Sequence, residues 1–509
     1  MKKTLIYTIL LCLGICISCE DALDPKVYSN LTGENYPKTE SDLNSLLIPL
    51  YAPFNQSWGT TLTQGEVDEI GNSIGGIKNT YASLAGWLHF STTTTDEKVT
   101  NEPYEGENLV EWGPRFLENF VQSNYIRVKC VSLCTNFLAA VEKVDFPEDR
   151  QDAKKQLIAQ ARCLRAWHMF LLYDFYGPVS VIRDPALLST NQYFPRPSKE
   201  EYISWMIEDL DAAIPVLLEY TNKANKADAD WGRVNKGLAL MLKMKIYMND
   251  KQWAEADKVV DELLTMTGYG LMDNYKDVFS YSNIGNKEVV WGCPLTADTR
   301  SEDWFKTNFP ADAKTVLGIS GVSGWGVHFM PWDFYDTYTQ GVDKRLETIA
   351  GTYENTKGEI KKANLGAVAV KYFGSPMPNA GLISVVAFRW ADVLLSKAEI
   401  LTQKNGSLSQ TEFNQYVAPI TDRAGTTSSL NISDVLSSKE KTLEFLLAER
   451  GRELYWEGWR RQDLIRYGKF IEKAVERGSS QSSEHRNLFP IPYSIILQSN
   501  GVYQQNPGY

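Results

Sequence analysis

Cys19 is the residue whose position most directly indicates a chemical reaction. Two lysines open the chain, Leu5 to Ile17 is an apolar run, and Ser18 places a small residue immediately before the cysteine. The apolar run is too short to cross a bilayer and has the layout of a signal peptide. We therefore predict cleavage before Cys19 and lipidation of its thiol, for example with palmitate. The alternative is an ordinary secretory signal in which the cysteine is incidental.

The densest charged segment of the sequence, residues 449–464, sets arginine planes beside aromatic rings. On a helix, Glu457 would reach Arg460 and Arg461. The same spacing would bring Glu449 to Arg452. Such a segment fits an anion or sugar site, or a salt-linked helix that locks the last repeats together. We favour the salt-linked helix, because paired arginines beside aromatic rings pack well without a ligand.

Sequence motifs for catalysis are absent. The sequence contains no HExxH, GxGxxG or GxxxxGK[ST] motif, and the serines of residues 318–324 do not match GxSxG. Acidic residues are abundant, but nothing marks two of them as a general acid and a nucleophile. Retaining glycosidases have no short signature whose absence would exclude them. The sequence thus predicts no catalytic residue, no metal ligands and no cofactor.

Four cysteines remain after residue 19, namely Cys130, Cys134, Cys163 and Cys293. Four thiols in a body of this size do not make a disulfide scaffold. Cys130 and Cys134 lie four residues apart on a predicted helix. We interpret them as small buried hydrophobes rather than as a bridge or a metal pair.

The composition narrows the class of partner. Loss of the first eighteen residues removes two lysines and no acid, so the formal charge of the 509-residue chain changes from −11 to −13. A basic footprint for nucleic acid is absent. No second long apolar run occurs, so the lipid is the expected link to the membrane. Aromatic residues make up 12% of the chain, which favours an aromatic binding surface because flat rings stack on sugar faces.

Apolar spacing of three and four predicts a helix over residues 154–175, with His168 as a core histidine on its apolar face. Residues 198–219 form a further predicted helix, which Ser198 and Glu201 begin as a capping box. Residues 232–249 and 253–265 form a helical hairpin that resembles a tetratricopeptide repeat. One repeat cannot bury its apolar face alone. The candidate partner hairpins are residues 114–142 with 152–175, residues 389–404 with 411–423, and residues 438–476.

Two stretches interrupt the helical pattern, residues 56–110 and 270–385. The first is rich in Gly, Thr, Ser and Asn, the second holds many Gly and Pro, and both contain several aromatic rings. Long irregular insertions within a helical body are uncommon unless functional. The second contains two predicted short strands, Val289 to Trp291 and Ala367 to Phe373. We predict ligand contacts in these stretches at tryptophans that adjoin glycines or lie on loops, namely Trp87, Trp304 and Trp325.

Several stretches together carry a family resemblance. They are the charged segment 449–464, Cys19 to Asp24, Ala161 to Ala166 with Tyr173 and Tyr176 to Val179, Arg389 to Leu395 with Ala398, Glu399 and Arg423 to Gly425, and finally Pro490 to Pro492, Asn500 and Gln505 to Tyr509. In this order and spacing they resemble the SusD/RagB family of outer-membrane nutrient-binding lipoproteins. The acidic start after Cys19 resembles the export tag of lipoproteins that face the exterior.

The resemblance implies a mostly α-helical fold, with about four tetratricopeptide-like hairpins and an irregular, loop-rich binding subdomain containing a few short strands. It implies a signal peptide over residues 1–18 and a lipoprotein body over residues 19–509. It further implies a glycan-binding lid for a SusC-like TonB-dependent transporter, with no chemistry on the ligand. The binding residues of the family are not fixed by a motif, so none transfers by position.

The leading hypothesis is therefore capture of oligosaccharides at the outer membrane for import. Three alternatives remain open. The protein could capture peptides as the lid of such a transporter, it could be a surface glycoside hydrolase, or it could be a repeat scaffold that only holds other proteins.

Overall fold

A computed structural model describes residues 36–54, 84–101, 107–113, 117, 121–190, 192–221, 230–280, 285–293, 307–372 and 385–509. The predicted signal peptide, Cys19 and Trp304 lie outside these residues. None of the helices within the described ranges has the length and apolarity needed to span a bilayer.

Helices make up most of the described fold, as the sequence predicts. Those of six residues or more are α1 (Glu40–Tyr51), α2 (Leu84–Thr93), α3 (Arg127–Glu142), α4 (Gln151–Tyr176), α5 (Lys199–Ala213), α6 (Lys236–Asn249), α7 (Trp253–Leu264), α8 (Trp390–Asn405), α9 (Gln410–Tyr416), α10 (Ala418–Ala424), α11 (Lys439–Leu454), α12 (Arg460–Arg466), α13 (Phe470–Glu476) and α14 (Tyr493–Gln498). Four-residue helices occur at Gln122–Tyr125, Trp332–Tyr335 and Ile432–Val435.

The long central helix α4 forms where the apolar spacing predicts it. It ends at Gly177, whose φ of +70° lies in the left-handed region that favours glycine. Helix α3 packs on one side of α4 and α5 packs on another. His168 is fully buried in α4, stacks on Phe54 at 4.5 Å and lies 3.2 Å from an Arg127 nitrogen. The prediction of a core histidine is confirmed.

The predicted hairpin is α6 with α7, and it belongs to a succession of packed helices. Helix α7 also packs on α8, and α8 packs on α11. Each helix therefore covers the apolar face that its predecessor leaves open, as a repeat architecture requires.

Several predicted helices are shorter or divided in the structure. Residues 198–219 give only α5, which ends two residues before Pro215. Residues 411–423 give α9 and α10, with Pro419 in the first turn of the second. Residues 438–476 give α11, α12 and α13.

In the described part of the chain, ten short strands lie beside the helices, and all their pairings are antiparallel. They are β1 (Val99–Thr100), β2 (Val289–Cys293), β3 (Ala313–Val316), β4 (Ile319–Ser320), β5 (His328–Pro331), β6 (Ile349–Ala350), β7 (Tyr353–Asn355), β8 (Ile360–Lys361), β9 (Gly366–Ala369) and β10 (Val385–Arg389). The sheets have the orders β1-β5-β9-β6, β10-β2 and β4-β3-β7-β8.

Parts of the two predicted irregular stretches form regular helix and strand in the structure. Strands β2 and β9 confirm both strand predictions, although β9 ends at Ala369 and Phe373 lies outside the described residues. The predicted irregular stretch 56–110 contains α2, whose buried face includes Leu84 and Leu88. Burial of that face explains why these residues are helical.

Candidate functional site

Trp325 is the one exposed tryptophan among the residues that the structure describes, with 54% of its surface accessible. It lies in the turn 323–326, between Val322, which is buried, and β5. An accessible ring of this size is unusual in a chain that buries most of its large apolar side chains. The turn 323–326 is therefore the best candidate for an aromatic contact with a ligand.

The turn is fixed on one side by the segment before β3. The Gly326 N–H donates to the Phe309 carbonyl at 2.7 Å, and the Ser323 hydroxyl donates to the Ala311 carbonyl at 3.0 Å. Gly326 has a φ of +64°, and a Cβ there would come within 3.4 Å of the Ala311 nitrogen. Glycine thus lets the two backbone segments approach closely.

Strand β1 fixes the turn on the other side. The Asn101 N–H donates to the Val327 carbonyl at 2.6 Å, and Thr100 pairs with His328 in the β1–β5 ladder. The backbone under Trp325 is consequently held by two neighbours. A stacking ring on such a turn loses little conformational entropy when a ligand binds.

Trp87 occupies a different environment from Trp325. It is 2% exposed, packs edge to face on Trp459 with ring centroids 4.9 Å apart, and donates from Nε1 to Asp174 Oδ2 at 3.4 Å. This burial favours a packing role, and ligand contact at Trp87 stays a prediction. Trp304 lies outside the described residues, so its contact also stays a prediction.

Three glutamates spaced four residues apart join the strand-rich part to the helices. Glu449 and Glu453 lie on α11, and Glu457 lies in the turn after it. All three are buried, and we call them the glutamate row. Besides Arg452 of α11 itself, their cationic partners come from distant parts of the chain, namely Arg345 before β6, Lys371 after β9, Arg389 at the end of β10 and Arg423 on α10.

The contacts of the glutamate row are short and well formed. Arg345 donates to Glu449 at 2.7 Å, and Lys371 donates to Glu457 at 2.5 Å. Arg389 donates to Glu453 at 2.7 Å and makes two hydrogen bonds to Glu457. Buried carboxylates require such charged partners, because an unpaired buried charge is strongly destabilising.

The electrostatics of Glu453 follow from this arrangement. Burial alone would favour its neutral form, but the guanidinium groups of Arg423, Arg389 and Arg345 hold the pKa of Glu453 well below its usual range. Burial also lowers the pKa of Lys371 to about 8, although Glu457 opposes this change. Glu453 is thus ionised at neutral pH, and its ion pairs lock the support of the candidate site to the helical scaffold.

The structure corrects the partners that the sequence assigns within residues 449–464. Glu449 does pair with Arg452, at 2.7 Å. Glu457 instead contacts Lys371 and Arg389, because α11 ends at Leu454 and the chain turns at Gly458. Arg460 pairs with Asp96, and Arg461 pairs with Asp174.

The structural role that we favoured for residues 449–464 agrees with this burial. Among the charged residues of the segment, only Arg452 is not buried. The partners belong to distant parts of the chain. The segment therefore joins more of the molecule than the last repeats alone.

A group of buried ionisable side chains lies beside the strands that carry the turn 323–326. Its members, which we call the Lys98 cluster, are His89, Glu97, Lys98, Glu107 and His328, all at most 4% exposed. The two imidazole rings lie 4.9 Å apart. Within the described part of the chain, the carboxylate oxygens of both glutamates lack hydrogen-bond partners.

Burial shifts the titration of the whole Lys98 cluster. It raises the pKa of Glu97 and of Glu107 to about 8. It lowers the pKa of Lys98 to about 7 and holds the pKa values of both histidines well below their usual range. The neutral forms of the two glutamates and the two histidines are therefore favoured near pH 7.

Across the described ranges, no group of three or more histidine, cysteine or acidic side chains has the geometry to hold a metal ion. Cys130, Cys134, Cys163 and Cys293 are all free and buried, which confirms their interpretation as small hydrophobes. Burial raises the pKa of the Cys130 thiol to about 11, so this thiol is unreactive.

Some residues that support the candidate site could not be recognised from any sequence motif. Arg345, Lys371 and Asn101 carry no motif, and they act through partners more than eighty residues away. A buried cation in an aromatic-rich stretch can be recognised only once its carboxylate partner is known. Arg389 and Arg423 did appear in the resembling stretches, without an assigned role.

Comparisons with known proteins agree with this architecture. The model of the SusD family matches residues 347–509, and the model described as Susd and RagB outer membrane lipoprotein matches residues 103–317. A SusD-like protein of Bacteroides ovatus is 24% identical over 469 residues, covering 84% of this chain and 77% of its own.

Solved structures share the fold. A SusD homolog from Bacteroides thetaiotaomicron superposes with a TM-score of 0.74 at 19% identity, covering 94% of this chain and 98% of its own. Surface glycan-binding protein A from the same organism, in complex with laminarihexaose, superposes with a TM-score of 0.68 at 18% identity. That match covers 92% of this chain and 99% of the other.

Proposed function

The chain belongs to the SusD/RagB family, and on this premise we propose that it is an outer-membrane lipoprotein that binds oligosaccharides at the cell surface. In this proposal it delivers them to a partner TonB-dependent SusC-like transporter and does not transform them. Cys19 carries the lipid, and the body faces the exterior.

The observation that carries glycan binding is the exposed ring of Trp325 on a turn held from both sides. Apolar sugar faces stack on aromatic rings, and a preorganised ring gives affinity at small entropic cost. The relative solved with laminarihexaose supports the ligand class, since a protein of this fold binds an oligosaccharide. The acidic composition of the chain gives no support to nucleic acid as a ligand.

The test is calorimetric titration of the purified body with a panel of oligosaccharides, together with Trp325→Ala. By analogy with stacking of bases on aromatic rings, we expect the substitution to weaken binding by about 1–3 kcal/mol. Tyr493→Ala is the matched control, because Tyr493 is 72% exposed on α14, outside this turn. Equal affinity of wild type and Trp325→Ala would place the site elsewhere.

Two further variants complete this localisation. Trp304→Ala is expected to weaken binding without loss of folding. Trp87→Ala is expected to lower stability by about 3–5 kcal/mol, because it removes a buried tryptophan, and its affinity is compared per folded molecule. If Trp304→Ala and Trp325→Ala both bind like wild type, the proposed aromatic surface is wrong.

Overnight incubation of the same panel distinguishes binding from hydrolysis. Chromatography should recover each oligosaccharide at its original length. Shorter products would favour the hydrolase alternative, and binding of peptides in place of sugars would favour the peptide-capturing lid.

A further inference from the structure

The turn that carries Trp325 packs against the segment just before β3, which includes Ala311 and the residue after it, Asp312. Ser323 donates to the Ala311 carbonyl, so the two exposed side chains Trp325 and Asp312 belong to two turns in contact. The backbone of Asp312 is fixed in turn by the residue that follows β7, because its carbonyl accepts from the Thr356 N–H at 2.8 Å. An aromatic ring and a carboxylate therefore project from neighbouring, well-held backbone.

Tyr353 completes the group. Its hydroxyl donates to Asp312 Oδ1 at 2.9 Å from the first position of β7. Burial and this hydrogen bond raise the pKa of Tyr353 to about 12, so the hydroxyl remains protonated. It thus orients the carboxylate, and the exposed carboxylate keeps further lone pairs for other donors.

From this geometry we infer that the Asp312 carboxylate, oriented by Tyr353, accepts hydrogen bonds from the ligand in the oligosaccharide site. It thereby selects uncharged sugars with free hydroxyl groups. The inference rests on the proposed function, since it assumes that Trp325 contacts a glycan. A carboxylate accepts hydrogen bonds from two adjacent hydroxyls of a sugar ring while the ring stacks on an aromatic face.

The local charges support this selectivity. Lys314 is paired with Glu354 at 2.8 Å, and Lys361 is paired with Glu359 at 2.9 Å, so each of these lysines has a carboxylate partner other than Asp312. The Asp312 carboxylate, by contrast, accepts its hydrogen bond from the hydroxyl of Tyr353, which is a neutral group. A carboxylate or sulfate on a bound sugar would be repelled at this position.

Lys357 is the cation that an anionic ligand would contact in this part of the structure. It follows Thr356 in the turn between β7 and β8, and it is exposed. If the ligand were anionic, this ammonium rather than Asp312 would be its natural partner. The two possibilities predict opposite effects of substitution and can be separated by one set of titrations.

The experiment is calorimetric titration of the full mature body with neutral hexasaccharides, laminarihexaose, maltohexaose and xylohexaose, and with anionic ones, oligogalacturonate and alginate. We expect binding of a neutral probe only. Asp312→Asn should weaken it about 10- to 100-fold, and Tyr353→Phe about 2- to 10-fold, in line with charged and neutral hydrogen bonds. Asp149→Asn, an exposed carboxylate in the turn before α4, is the matched control.

The possible results distinguish failure of the inference about Asp312 from failure of the proposed glycan binding. Binding of a neutral probe that is lost in Trp325→Ala but unchanged in Asp312→Asn overturns the inference and leaves the proposed function intact. Preference for an anionic probe, with loss of affinity in Lys357→Ala, likewise overturns only the inference. Failure of wild type to bind any glycan, with normal melting, overturns both.

Discussion

Arg389 and Glu457 form a two-pronged ion pair across 68 residues of sequence. Arg389 Nε donates to Glu457 Oε2 at 2.7 Å, and Nη2 donates to Oε1 at 2.9 Å. Both side chains are at most 1% exposed. This pair links the end of β10 to the turn after α11, so it joins the strand-rich part to the helical scaffold through a buried contact.

Glu457→Gln should lower the free energy of unfolding by about 3–5 kcal/mol, because it leaves Arg389 and Lys371 without their full counter-charge in the interior. Denaturant titration followed by circular dichroism measures the change. Lys258→Gln, at an exposed pair with Glu255, is the control and should change stability by less than about 1 kcal/mol. Equal effects of the two substitutions would contradict a structural role for the glutamate row.

Arg460→Ala should also lower thermal stability while leaving the affinity per folded molecule unchanged. Arg460 makes two hydrogen bonds to Asp96, at 2.8 and 2.7 Å, and a third to the Leu447 carbonyl. Loss of one partner from a buried pair costs about 3–5 kcal/mol. Melting curves and titrations on the same samples test this. Normal melting combined with loss of ligand would make this segment part of the site.

Gly458→Ala should be more destabilising than Gly501→Ala, although both glycines have a φ of +85°. A Cβ at Gly458 would lie 2.6 Å from the ring of Trp87, whereas nothing lies within 4 Å at Gly501. Gly501→Ala thus measures backbone strain alone, about 1 kcal/mol, and the excess at Gly458 measures the clash. Similar melting temperatures for the two variants would show that the Trp87 ring can move aside.

Stability should depend on pH through the glutamates of the Lys98 cluster. Glu97 and Glu107 keep their protons up to about pH 8 when folded but release them near pH 4.5 when unfolded. The folded state therefore binds more protons in this interval, and these groups make the free energy of unfolding fall as pH rises. Lys98 contributes the opposite slope above about pH 7, and the two histidines do so below pH 6.5.

The measurable quantity is thus the difference between a variant and wild type. Glu107→Gln should gain stability relative to wild type by about 1 kcal/mol per pH unit between pH 5 and 7. Urea titrations at several pH values provide the measurement, with Glu444→Gln on the exposed face of α11 as control. A variant that stays parallel to wild type would show that Glu107 titrates normally.

Cys19→Ala should give a protein in the soluble periplasmic fraction, because the thiol is the predicted attachment point of the lipid. Cys16→Ala, within the apolar run, should still reach the outer membrane. Fractionation followed by immunoblotting tests both. Recovery of Cys19→Ala in the outer-membrane fraction would reject the lipoprotein proposal.

The helical scaffold was predictable because its periodicity is local. Leu157, Leu164 and Leu171 recur at the spacing of one helix face and are buried in α4. The same rule failed for Trp87. Gly86 before it suggested a loop, but both residues lie within α2, where tertiary packing outweighs the low helix propensity of glycine.

The charge partners could not be predicted, because they depend on where helices end. Spacing along a helix assigns Glu457 to Arg460 and Arg461, yet the helix stops at Leu454 and the rule for neighbours on one helix no longer applies. No sequence pattern indicated that Asp312 and Tyr353 would be in contact either. Their contact depends on the register of β3 against β7, which brings together residues 41 positions apart.

The regular spacing of the glutamate row has a consequence for how such a binding surface can diversify. Arg345, Lys371 and Arg389 return to fixed points on α11 and the turn after it. Between the anchors Arg345 and Lys371 the strands β6 and β9 are buried, whereas the turn at residues 356–359 is exposed. The row therefore holds a packed strand unit in place, and we expect changes of sequence to be tolerated in its exposed turn rather than in its strands.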